Sequence, residues 1–189
     1  MIIAGIAGAE AGFWIALGLA LVARYLLRQR TLSTVLLWSL PVIDLALLAL
    51  VVIDLAGGSA PTASHALAAS YLGFTIAFGH PLIRWADAAF AHRFAGAARP
   101  PKPAKGSAAQ VRALWTEWLR VVLAAVIASV ILAVLALAVR RDPIPRTLEE
   151  AGANPLWAQM ITLGVVVVIW FLAGPAFARR TEATPHASS

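Results

Sequence analysis

Apolar residues along this chain fall into five long blocks separated by short polar stretches, which predicts membrane-crossing helices rather than a soluble core. Crossing the hydrocarbon of a bilayer takes about 20 apolar residues as a helix. The blocks that satisfy this are 3–26, 34–55, 63–80, 121–139 and 157–177. The third is the least apolar, being rich in Ala, Gly and Ser, and charge decides whether it crosses.

Arg24, Arg28 and Arg30 follow the first block, which places that loop in the cytoplasm by the positive-inside rule. The stretch after the third block carries Arg84, Arg93, Arg99, Lys102, Lys105, Arg112 and Arg120 against Asp87 and Glu117. It would face outward, against the rule, unless the third block crossed. The predicted fold is therefore an all-α membrane bundle of five transmembrane helices, N-terminus out and C-terminus in. Trp38, Trp85, Trp115 and Trp118 fall at the inner boundary of that arrangement and Trp157 at the outer one.

The connecting segments have readable roles. Pro81 predicts a kink, after which an interfacial helix and a Pro-rich basic linker occupy 82–112, with Arg84 and Asp87 three residues apart. Thr147 and Glu150 fit a capping box that opens one short helical turn, and Asn154-Pro155 restarts the chain into the fifth span. Residues 179–189 read as a disordered cytoplasmic tail.

Composition narrows the function classes. The 189 residues are 61% hydrophobic and 13% charged, about half the charge of a soluble domain. With no cysteine, disulfides, thiolate metal sites and cysteine nucleophiles are excluded. The net charge of +6 sits beside apolar spans, so anionic lipid headgroups on the cytoplasmic side are the expected partner and nucleic acid is not. The first block is longer than a signal-peptide core and has no basic residue before Arg24, so it is expected to be retained.

Three acids lie inside the apolar blocks: Glu10, Asp44 and Asp54. Charge in hydrocarbon is costly and usually serves a purpose. The turn between the second and third spans is centred between Ser59 and Ala60, so Asp54 and His65 are equidistant from it and share one depth. The same count puts Asp44 level with Thr75 and about one turn from Tyr71. Counting back through the cytoplasmic turn near Thr31 brings Glu10 into the Asp54–His65 layer. Glu10, Asp44, Asp54, His65, Tyr71 and Thr75 are thus the candidate binding or proton-relay residues.

That cluster has three readings. It is polar glue between helices, or an ion or proton site, or a metal or catalytic centre with Glu10, Asp54 and His65 as ligands. The absence of HExxH leaves the metal reading without a motif, and no catalytic residue is assigned. A bis-histidine haem is disfavoured, since His65 and His80 share one helix about 22 Å apart. No cofactor is expected, because phosphate loops, dinucleotide fingerprints and GxSxG are missing. His80, Arg84, Lys102 and Lys105 are the lipid-headgroup candidates. A ridge of small residues containing Gly8 and Gly12 lets helix backbones approach closely and offers a homo-oligomer contact, and the third block has its own small ridge, Ala69, Gly73 and Ala77.

The segment from Phe78 to Asp87, with Leu32-Ser33-Thr34 and Pro41-Val42-Ile43-Asp44 upstream, resembles a group of small, uncharacterised bacterial integral membrane proteins. The resemblance covers roughly the first hundred residues. It implies a multi-pass protein of the bacterial inner membrane and no assigned activity. The expected functions are a small ion- or proton-coupled carrier or accessory transporter, a non-catalytic scaffold or subunit whose acids orient helices, or a membrane-embedded metalloenzyme.

Overall fold

A computed structural model describes residues 30–94, 96, 98 and 103–178, with Gly8, Gly12, Ile15, 18–20, 22–24, Leu27 and Gln29 of the N-terminal segment. Among these residues there is helix and no strand. The elements are α1 (Arg30–Ala56), α2 (Ala63–Phe94), α3 (Ala108–Val134) continued by a π-helical turn (Leu135–Val139), α4 (Leu148–Ala153), α5 (Pro155–Ala173) and a closing 3₁₀ turn (Pro175–Phe177).

Three helices among the described residues have the length and apolarity to cross a membrane: Ala63–Arg93, Ala108–Val139 and Pro155–Phe177. They contain the third, fourth and fifth predicted spans. The second lies within α1, which at 27 residues is about 40 Å long. Most of the first, like the tail 179–189, falls outside the described residues.

At two boundaries the helices run beyond the apolar blocks. Helix α2 runs through Pro81 for 32 residues to Phe94, so 82–94 continues the helix of the third predicted span. A proline forfeits one backbone hydrogen bond. Beyond Pro81, Asp87 is held by an ion pair at 3.5 Å from Arg24 of the N-terminal segment. The second boundary is at α3, which starts at Ala108, well before 121. Ser107 caps it by accepting from the backbone N–H of Gln110, whose side chain in turn accepts from Gly106 N–H. The charged residues Arg112, Glu117 and Arg120 are therefore exposed on a helix, and 108–112 of the predicted linker is helical.

Helix α2 packs most extensively on α3. Gly73 makes that contact possible: a Cβ there would lie 2.7 Å from the Ala124 carbonyl oxygen and 2.8 Å from Ala128 Cβ. Ala69, Ala77, Ala124 and Ala128 are all buried along the same seam. Small residues at such a crossing allow backbone-to-backbone van der Waals contact. Leu132, Leu135, Leu156 and Leu163 extend the core toward α5. Large apolar side chains such as Val42, Ile53, Ile76, Val130 and Ile169 are exposed on the outward faces of the long helices, as an envelope of lipid would require. On the N-terminal segment Ala20 and Ala23 are buried, whereas Gly8 is exposed, and a Cβ at Gly8 or Gly12 would meet nothing within 4 Å.

Candidate functional site: a polar layer at the α1–α2 turn

The turn at 57–61 reverses the chain tightly. Gly57 and Gly58 N–H groups bond back to the Ile53 and Leu55 carbonyls, and Ser59 N–H to the Asp54 carbonyl. Gly58 holds φ at 93°, a conformation that a side chain disfavours. This geometry brings Asp54 and His65 together, with His65 Nε2 at 2.9 Å from Asp54 Oδ2.

The other ring nitrogen settles the tautomer. Thr62 backbone N–H, which can only donate, points at His65 Nδ1 at 3.1 Å, and the Thr62 hydroxyl lies 2.9 Å from the same atom. Nδ1 is therefore the acceptor, and Nε2 carries the hydrogen donated to Asp54. Thr62 receives the first carbonyl-directed bonds of α2 from His65 and Ala66. His65 thus fills the role that Glu or Gln has in a capping box, reaching back to the N–H that precedes the helix. Its side chain is nearly inaccessible, while that of Asp54 is about one-third exposed.

Asp44 lies about 15 Å further along α1 and is 3% exposed. Its carboxyl bonds to the Thr75 side chain of α2, and Oδ2 has no hydrogen-bond partner among the described residues. Tyr71, one turn before Thr75, is half-buried and makes an interaction of its own. Between the two levels, Ser70 Oγ donates to the Ala66 carbonyl and accepts from Gln159 Nε2 of α5 at 3.1 Å.

Several contributors to this layer carry no motif. Arg140, at the end of the π turn, donates to the Ser59 carbonyl at 3.0 Å and lies 3.8 Å from Asp142. Asn154 donates to Asp142 Oδ2 and caps α5 by accepting from Leu156 N–H. One chain of contacts therefore joins the α1–α2 turn to α3 and α5. The neutral balance of the 140–150 loop was the available signal, because it implies internal pairing of arginine and acid.

Glu10 and Lys102 lie outside the described residues. Among the described residues no group of three His, Asp or Glu side chains is placed to hold a metal ion, and both nitrogens of His65 are occupied. At the opposite end of the bundle His80, Arg84 and Lys105 are exposed, beside Trp85 at 69% exposure. There Asp87, expected to pair with Arg84, receives Arg24.

Over 167 residues the chain is 33% identical to the "Uncharacterized membrane protein YmcC" of Bacillus subtilis (strain 168), with 88% of each chain covered. It belongs to that protein's family. No family model and no solved structure matches it. The kinship extends the resemblance noted in the first hundred residues over most of the chain, and with the apolar helices it makes this a helical membrane protein.

Proposed function

We propose that the protein is a five-span inner-membrane protein, N-terminus out, in which Asp44 is the titratable group of a small ion- or proton-coupled carrier or accessory transporter. The N-terminal segment and α1 supply the crossings beyond the three long apolar helices. Exposed His80, Arg84, Lys105 and the tryptophans beside them contact anionic headgroups. The unpacked Gly8 and Gly12 positions leave a face for a second copy.

One observation carries the reading. Asp44 is buried at mid-helix with one carboxyl oxygen lacking a partner among the described residues. An intramembrane acid that is only half satisfied is a site where a proton or cation can be exchanged. Asp54, His65 and Thr62 satisfy one another and serve to hold the hairpin.

The test measures proton entry into proteoliposomes loaded with a pH-sensitive dye, with Na⁺, K⁺ or small organic solutes imposed as gradients. Asp44→Asn should abolish a gradient-dependent signal while leaving helicity unchanged, and Asp54→Asn should retain it. Wild-type rates in Asp44→Asn would sink the carrier reading. The mutual satisfaction of Asp54, His65 and Thr62 favours a second reading, a scaffold whose polar groups only orient helices. It predicts no flux in any variant.

A further inference from the structure

Next to the polar layer the loop after the π turn folds over the start of α5 and leaves a cleft of about 830 Å³, lined by Asp142, Pro143, Ile144, Pro145, Arg146, Glu150, Asn154 and Trp157. That volume falls within the range of small-molecule sites, about 300–1,000 Å³. The walls are built rather than incidental. Asp142 is engaged by Arg140 and Asn154. Glu150 Oε2 accepts from the Arg146 backbone N–H, and Glu150 N–H bonds to the Thr147 hydroxyl. Two prolines, Pro143 and Pro145, stiffen the segment between them.

The hydrogen-bonding inventory of the cleft is unbalanced. Asp142 Oδ2 accepts from Asn154, Asp142 Oδ1 lies 3.8 Å from the Arg140 guanidinium, and Glu150 Oε2 accepts from the Arg146 backbone N–H. On the donor side, the exposed Arg146 guanidinium makes no side-chain bond or ion pair among the described residues. The indole N–H of Trp157 is likewise without an acceptor there. Surplus donors call for an acceptor, and a guanidinium calls for an anionic one, with phosphate the best geometric match. Ile144, 67% exposed, and the Trp157 ring add apolar surface beside the charge. The cleft therefore suits a molecule with an anionic head and an apolar body.

We propose that this cleft binds the phosphate group of an amphiphile, with Arg146 as the anion-binding residue and Trp157 supporting the apolar part. The assignment is independent of Asp44 and stands whether or not the protein transports anything. The phosphate could come from a membrane phospholipid or from a soluble phosphate ester, and the experiment separates these sources.

Purified full-length protein in a neutral maltoside detergent is titrated with inorganic phosphate, with glycerol 3-phosphate and with dihexanoyl phosphatidylglycerol, and binding is read by thermal shift and isothermal calorimetry. The phospholipid should saturate, and Arg146→Gln should weaken it about ten-fold, the value of one charge-assisted contact. Arg146→Lys should recover part of the loss, and Arg141→Gln, five residues earlier in the loop and not lining the cleft, should change nothing. Saturation by the phospholipid alone identifies a lipid headgroup site, and equal saturation by glycerol 3-phosphate identifies a soluble ester. Absence of saturable binding by all three overturns the proposal. So does undiminished binding in Arg146→Gln, or equal binding of a neutral dihexanoyl glycerol. Since Arg146 is exposed, its variants should fold, and an unchanged melting temperature without ligand verifies this.

Discussion

Between α2 and α3 the chain relies on removing side chains: Gly73 faces Ala124 and Ala128 so closely that a methyl group would touch backbone. Between α1 and α2 it relies on adding polar ones, with Asp54 meeting His65 and Asp44 meeting Thr75. Lipid tails are as apolar as Leu, so neither pair gains from hydrophobic exclusion as it would in water. The first pair is held by dispersion over a long, close approach, which tolerates little change in shape. The second is held by a few directional bonds, which tolerate changes of shape and fail when a partner is lost. Rigidity and adjustability are thus assigned to different faces of α2.

Substitutions can break this contrast, and the close seam should respond most. Gly73→Leu should cost about 3 kcal/mol or prevent folding, and Gly73→Ala about 1–3 kcal/mol, as overpacking does elsewhere. Unfolding in mixed micelles reads both, and a Gly73→Ala protein of wild-type stability would show the seam to be slack. The polar face should respond less. A double-mutant cycle of Asp54→Asn and His65→Leu should give a coupling of about 0.6–2 kcal/mol. A coupling near zero would mean that the imidazole serves only as a cap for α2.

Smaller effects probe the loops that tie the pairs together. Asn154→Ala removes the cap of α5 and the bond to Asp142, and a loss of about 1 kcal/mol is expected. Thr147→Ala removes an exposed cap on the six-residue α4. It should cost about 0.5 kcal/mol in the same unfolding series. If Thr147→Ala proved the more damaging of the two, the 140–150 loop would hold the bundle in a way its exposure does not indicate.

Much of this arrangement was legible in the residue pattern, and the exceptions have physical reasons. Equal distance from the turn centre paired Asp54 with His65 and Asp44 with Thr75 because antiparallel helices rise at the same rate. Thr147, Glu150 and Asn154 declared the caps of α4 and α5 by local spacing alone. The continuation of α2 to Phe94 was legible too, since a proline inside a helix can bend it without ending it. The early start of α3 was hidden, because exposed charge reads equally as linker or as solvated helix face. Two small-residue ridges were conspicuous, one through Gly8 and Gly12 and one through Ala69, Gly73 and Ala77, and the tight crossing with α3 uses the second. Small-residue spacing marks where helices can approach, while the partner decides where they do. The bond of Arg140 to the Ser59 carbonyl is a tertiary event that local spacing does not encode.

The wide turn at Leu135–Val139 closes with Arg140 N–H on the Leu135 carbonyl, five residues back. A one-residue insertion into an ordinary helix would leave this trace. Deleting a residue there would restore regular winding and swing position 140 by about 100° around the axis, carrying its guanidinium off Ser59. Loss of a single codon would keep the helix long enough for a bilayer while unfastening the loop after it from the α1–α2 turn.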